Sequence, residues 1–180
     1  MKKICSLVLL LALALFAVGA TASTSARLTT KMATRSGPST KFTDLGTYFR
    51  RGTTVKAITK SYDSRNRVWW IQVDFTYRNA KRRAYTGRKR MTVSLGQLPE
   101  EKLICRVRVM EKTYAWYGPG ENYEMHSTKT LRLGLEADVY NQEAGWFQLE
   151  YKGLDNKLRR VWVPESACEV LEASKTLEGD

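Results

Sequence analysis

Four landmarks occur twice along the chain, in the same order. Arg35-Ser36-Gly37-Pro38-Ser39-Thr40-Lys41-Phe42 has a partner in Trp116-Tyr117-Gly118-Pro119-Gly120-Glu121-Asn122-Tyr123. Both are Gly-Pro turns followed by an aromatic residue. Arg51-Gly52-Thr53-Thr54-Val55 resembles Leu133-Gly134-Leu135-Glu136-Ala137-Asp138-Val139. Trp70-Ile71-Gln72-Val73-Asp74-Phe75 matches Trp146-Phe147-Gln148-Leu149-Glu150-Tyr151 position by position, and Arg83-Ala84-Tyr85-Thr86-Gly87 lines up with Arg160-Val161-Trp162-Val163-Pro164. A recurrence of this kind requires two copies of one structural unit. Drifting offsets between the copies mark loop insertions.

The segments between landmarks read as strands. They are short, rich in β-branched and aromatic residues, and bounded by Gly, Pro, Asn or Asp. Val55 to Thr59 is one. Val68 to Tyr77 is another, with Ile71, Val73 and Phe75 alternating against Gln72 and Asp74. Helical periodicity is weak after the N-terminal segment. Five or six short strands per half predict an all-β chain of two tandem small barrels. The stretch Gly96-Gln97-Leu98-Pro99-Glu100-Glu101 reads as a short linker between them, because its proline breaks any ladder.

The N-terminus reads as an export signal. Met1-Lys2-Lys3 precedes 12 unbroken apolar residues, Leu7 to Val18, and small residues Ala20-Thr21-Ala22 follow. That core is too short to span a bilayer and has the length and flanks of a signal peptide. Cleavage after Ala22 gives a plan of signal 1–22, a first domain 23–98, a second domain 99–174 and a tail 175–180. The mature protein is then secreted or wall-associated, with no membrane span.

Charge is divided unequally. Ser23 to Pro99 holds 17 Lys+Arg against 3 Asp+Glu, a net of +14, and Glu100 to Asp180 holds 11 against 15, a net of −4. Arg78, Lys81, Arg82, Arg83, Arg88, Lys89 and Arg90 fall within 13 residues that contain no acid. Such a field attracts polyanions in a salt-sensitive way. For an exported protein the polyanion at hand is an anionic wall polymer or a membrane surface, rather than nucleic acid. The alternative is a solvated hairpin whose charges keep the protein soluble. Neutralisation by the acidic half is a third reading, but −4 cannot cancel most of +14.

The ordered landmarks resemble the bacterial SH3-like domain family. Arg35-Ser36-Gly37-Pro38, Gly52-Thr53-Thr54-Val55, Trp70-Ile71-Gln72-Val73 and Ala84-Tyr85-Thr86 carry the likeness in the first half. Gly118-Pro119, Gly134, Gly145-Trp146 through Leu149 and Val161-Trp162-Val163-Pro164 carry it in the second. The chain departs from the pattern at Trp116-Tyr117, at Tyr85, and in a basic insertion from Thr76 to Arg83. The resemblance implies a barrel of five to seven strands without enzymatic activity. It also implies a partner among cell-wall peptides or short exported peptides.

Strand parity nominates ligand-binding residues. Side chains two apart share a face. Trp70 therefore sits with Gln72 and Asp74, and Trp146 with Gln148 and Glu150, on what reads as a half-exposed outer face. Trp69 falls inward. A flat exposed Trp anchors peptides or glycans. Gln72, Tyr77 and Tyr85 join Trp70 as candidates in the first half. In the second, Tyr114, Trp116, Tyr117 and Tyr123 crowd the Gly-Pro turn, and a shallow groove between that turn and Trp146 is the expected ligand surface. A filled hydrophobic corner is the alternative.

Cys105 and Cys168 stand at the first and last strands of the second half. Export makes them disulfide candidates. A bridge there closes a loop of about 60 residues, worth roughly 4 kcal/mol; two unpaired thiols are the alternative. Enzyme chemistry has little material. His126 is the only histidine, no His/Cys/Asp cluster has zinc spacing, and no Gly-rich loop precedes a helix. No metal, cofactor or catalytic residue is expected. Two functions stay open: a cell-wall binding module, and an adaptor for another exported protein.

Overall fold

A computed structural model describes residues 23–173. The leader 1–22 and the tail 175–180 lie outside the described residues. The described chain is all-β, with three short 3-10 turns. Strands β1 (Thr24–Arg27), β2 (Met32–Arg35), β3 (Asp44–Phe49), β4 (Thr54–Asp63), β5 (Val68–Tyr77) and β6 (Ala80–Gly87) form one sheet, in the order β1-β4-β5-β6-β2-β3. Strands β7 (Cys105–Val109), β8 (Glu136–Glu143), β9 (Trp146–Lys152), β10 (Leu158–Pro164) and β11 (Cys168–Ala173) form the second, in the order β10-β9-β8-β7-β11.

The recurrence read from the sequence is a recurrence of structure. Gln72 pairs with Tyr85 across β5 and β6, and Gln148 with Trp162 across β9 and β10. Each sheet has a bulge at the same place, after Ala57 in β4 and after Val139 in β8. Both Gly-Pro turns fold an aromatic ring back over the glycine. A Cβ at Gly37 would overlap the Phe42 ring, and one at Gly118 the Tyr123 ring. That close approach explains why both landmarks need glycine followed by an aromatic.

The hairpins are tighter than the sequence suggested. Thr76 to Arg83 is no loop insertion: β5 and β6 run through it and turn on Arg78 and Asn79 alone, both at positive φ. Ala144 and Gly145 make the same turn between β8 and β9. Two residues at positive φ match the right-handed twist of the flanking strands.

Each sheet packs on its own apolar core. Leu28, Val55, Ile71, Val73 and Met91 belong to the first, and Val107, Val139, Leu149, Val161 and Val163 to the second. Ile71 and Val73 face inward as alternation requires. The opposite face is also covered, so Trp70 through Asp74 are five consecutive buried residues. The linker is not free either. It lies along β4, with the Lys60 amide donating to the Pro99 carbonyl and the Glu101 amide to the Lys60 carbonyl, both at 2.9 Å.

Candidate functional site

The face opposite each core is a contact between the two halves. It absorbs many residues that the sequence marked as ligand candidates. Gln72 donates to Gln148 at 3.2 Å and to the Tyr85 hydroxyl at 2.8 Å. The two glutamines are equivalent positions of the repeat, so they lie on its pseudo-two-fold axis. Backbone contacts obey the same symmetry. The Thr43 amide donates to the Leu158 carbonyl, and the equivalent Glu124 amide to the Lys81 carbonyl.

Two equivalent arginines occupy the interface. Arg83 grips Asp74 of its own sheet at 2.6 Å and Glu143 of the other half at 2.6 Å, beneath the Tyr123 and Trp162 rings. Arg160 grips Glu150 of its own sheet at 2.7 Å and Glu101 at 2.6 Å, and stacks near Phe42 and Tyr85 of the first half. Each arginine thus enters the aromatic turn of the opposite copy. Burial disfavours the Arg83 charge, but hydrogen bonds to Asp74 and Glu143 outweigh it and raise its pKa. Burial likewise opposes the Arg160 charge, and Tyr85, Glu101 and Glu150 reverse the balance. Burial, reinforced by the Glu101 charge, pushes the Tyr85 phenol up and keeps it a neutral donor.

This contact corrects the exposure assigned to several candidates. Trp70, Gln72, Tyr85, Tyr123 and Arg83 are buried. The parity was right, since Trp70 does share a face with Gln72 and Asp74, but that face is covered. Trp69 is half-buried rather than core: it packs on Tyr62 at 4.9 Å under the Lys60 ammonium. Trp116 is buried and stacks edge-on against half-buried Trp146 at 5.0 Å, which fills the groove expected between them. Tyr114 stays exposed at that corner, and Tyr117 is half-buried against His126.

The basic run is also redistributed. Arg82 forks onto Glu124 of the second half and also donates to Thr47. Arg88 is half-buried and donates to the Val93 carbonyl at 2.9 Å. Exposed Arg78 lies over the half-buried Tyr77 ring, which Arg82 also faces. Lys81 is exposed and places its ammonium 4.1 Å above the Tyr123 ring. Lys89 is exposed, and Arg90 ends the 3-10 turn Arg88–Arg90.

A denser set of free cations gathers elsewhere, at one end of the first sheet. Three segments meet there. Leu28 exchanges backbone hydrogen bonds with Gly52 and Thr53, which joins the β1–β2 turn to the β3–β4 turn. Gly52 makes this turn at φ 86°, a conformation other residues seldom adopt. The Arg27 carbonyl accepts from the Thr92 amide, and Leu28 bridges Met91, which brings in the segment after the 3-10 turn. Arg27, Lys31, Arg50, Arg51 and Lys89 project from these segments, all exposed and none in an ion pair among the described residues. Exposed Tyr48 lies under the Lys31 ammonium at 5.0 Å. No acid occurs between Leu45 and Tyr62 or between Phe75 and Pro99. The three acids of this half are engaged: Asp44 with Arg35, Asp63 with Asn66, and Asp74 with Arg83. Sequence reading missed this cluster. Its signal was the acid-free stretch around Arg50-Arg51-Gly52, which stands far in sequence from the conspicuous run.

Cys105 and Cys168 are free thiols. Strands β7 and β11 do run side by side, but antiparallel, so Cys105 faces Ala173 and Cys168 faces Val109 at opposite ends of the ladder. No group of three His, Cys, Asp or Glu suited to a metal ion occurs among the described residues, and no described helix is long and apolar enough to cross a membrane. No protein-family model matches this chain, and no curated protein matches it.

Proposed function

We propose that this is a non-catalytic exported binding protein built from two SH3-like halves, which holds an anionic cell-wall polymer at the cation end of its first sheet. The observation that carries the reading is the cluster Arg27, Lys31, Arg50, Arg51 and Lys89, exposed and without a carboxylate partner among the described residues. Elsewhere Arg35, Arg82, Arg83, Arg106, Arg108, Arg159 and Arg160 each hold a carboxylate. A set of cations on adjoining turns, left without acids, favours a multivalent anion over a single small one. The reading assigns no catalytic step. The acids of the interface, Asp74, Glu101, Glu143 and Glu150, are each tied to an arginine.

The test is retention of the mature chain on purified peptidoglycan sacculi, with and without their anionic polymers, at low and high salt. The expected result is retention that needs the polymer, falls with salt, and is lost in an Arg27→Glu/Arg50→Glu/Arg51→Glu variant. Full retention of that variant overturns the assignment of the site. Absence of retention under every condition overturns the function, and leaves the exported-protein adaptor as the reading to pursue.

A further inference from the structure

The second half has a recess of about 510 Å³ that none of the features above uses. One wall is the loop from His126 to Leu135, and the other is the hairpin end from Tyr151 to Arg159. Its volume falls in the range of small-molecule sites. Both walls are pinned by the backbone. The Leu131 amide donates to the Thr113 carbonyl and the Gly134 amide to the Val109 carbonyl, each at 2.8 Å. Across the gap, the Gly153 amide donates to the Lys157 carbonyl at 2.9 Å, and Arg159 forks onto Asp155 at 2.7 and 2.8 Å. The site is therefore formed before any ligand arrives.

Its lining has two characters. Leu131, Leu135 and Tyr151 form an apolar side that packs on the second core. Lys129, Arg132 and Lys152 form a cationic side. These three make no ion pair among the described residues, although this half carries a net −4. Arg132 is the exception among the arginines of this half. Arg106 and Arg108 hold Glu136, Arg159 holds Asp155, and Arg160 holds Glu101 and Glu150; among the described residues only Arg132 holds no carboxylate. An apolar surface beside unpaired cations is complementary to one chemical type, an acid on a hydrocarbon body.

We propose that this recess binds a small carboxylate with an apolar body, its hydrocarbon on Leu131, Leu135 and Tyr151 and its charge toward Arg132 and Lys129. The site is separate from the polymer-binding end and does not depend on that reading. His126 lines the recess and is the only histidine of the chain, so its ring resonances report occupancy without ambiguity.

The experiment titrates the mature protein with octanoate, and in parallel with uncharged octanamide, following the His126 ring by NMR. Octanoate should give a saturable shift with millimolar or tighter affinity, weakened by salt. Octanamide, and octanoate with Arg132→Glu, should each bind at least about tenfold more weakly. Both Arg132 and Lys129 are exposed, so Lys129→Glu repeats the test should the first variant fail to fold. The Arg27→Glu/Arg50→Glu/Arg51→Glu variant should bind octanoate as the parent does. No saturable shift at His126, or equal binding of octanoate and octanamide, overturns the proposal.

Discussion

Replacing Arg160 with methionine removes a guanidinium from the interface while keeping most of the side-chain volume. The cost is set by what remains. The Glu101 side chain is 1% exposed, and Arg160 is its only cationic partner among the described residues, at 2.6 Å. The Tyr85 and Thr59 hydroxyls still donate to Glu101, at 2.6 and 2.7 Å, but neither brings a charge. Removing one member of a buried pair costs about 3–5 kcal/mol, because the other charge is stranded away from water. The two surviving hydrogen bonds offset part of this and place the loss near about 3 kcal/mol. With a urea slope of about 2 kcal/mol/M for a chain of this size, the midpoint should fall by roughly 1.5 M. Equilibrium unfolding followed by tryptophan fluorescence measures this directly. Arg83→Met should cost less. Its partners Asp74 and Glu143 have side chains 9% and 28% exposed, so water reaches the orphaned carboxylates, and Tyr123 still donates to Asp74. Adding Glu101→Gln to Arg160→Met should restore much of the loss, since it removes the stranded charge. A loss under about 1 kcal/mol for Arg160→Met, or a double variant no better than the single, refutes the view that this buried pair underpins the interface.

Gly118→Ala should destabilise by about 1–3 kcal/mol, read as a lowered Tm, because the new methyl displaces the Tyr123 ring over which the interface is built. Burial, aided by the Arg159 charge, holds the His126 pKa below its ordinary 6.5. The unfolded chain therefore takes up a proton first as pH falls. Stability from this group is full above about pH 6.5 and declines below it, a slope that His126→Gln should abolish. Burial pushes the Cys168 thiol up to about 11, with the Cys105 and Glu165 charges adding to it. The mature chain, denatured without reductant, should give two equivalents of free thiol; native Cys168 should react slowly at neutral pH.

The equivalence of the two sheets was legible because the repeat carries it. Gln72 aligns with Gln148 and Arg83 with Arg160, and the ladders pair Gln72 with Tyr85 and Gln148 with Trp162. Exposure was not legible. A period-two pattern tells which side chains share a face, but not what covers that face. Gln72 and Asp74 read as a solvent face because they are polar. They are polar because the covering surface is the other half, which presents a glutamine, a tyrosine and acids to their strands. One clue was available: Gln-x-Asp and Gln-x-Glu stand across from an arginine in both copies, a pattern that plain solvation does not require. The cysteines failed for a related reason. Their strands do run side by side, but each cysteine starts its strand and the pairing is antiparallel, so the sulfurs stand at opposite ends of the ladder. The charge count placed the basic excess in the first half, but the run along the chain is more visible than five cations gathered from three turns.

The matched pairs at the interface have a consequence for how the two halves differ. A contact in which each copy offers the same surface is the arrangement of a two-fold dimer, here joined into one chain. A change at Gln72 alters the contact that its counterpart Gln148 also depends on, so the centre of the shared face holds both copies to one chemistry. The outward surfaces carry no such tie. Divergence after duplication is therefore channelled outward, and it is there that one copy could become strongly basic and the other acidic while the joint between them stayed the same.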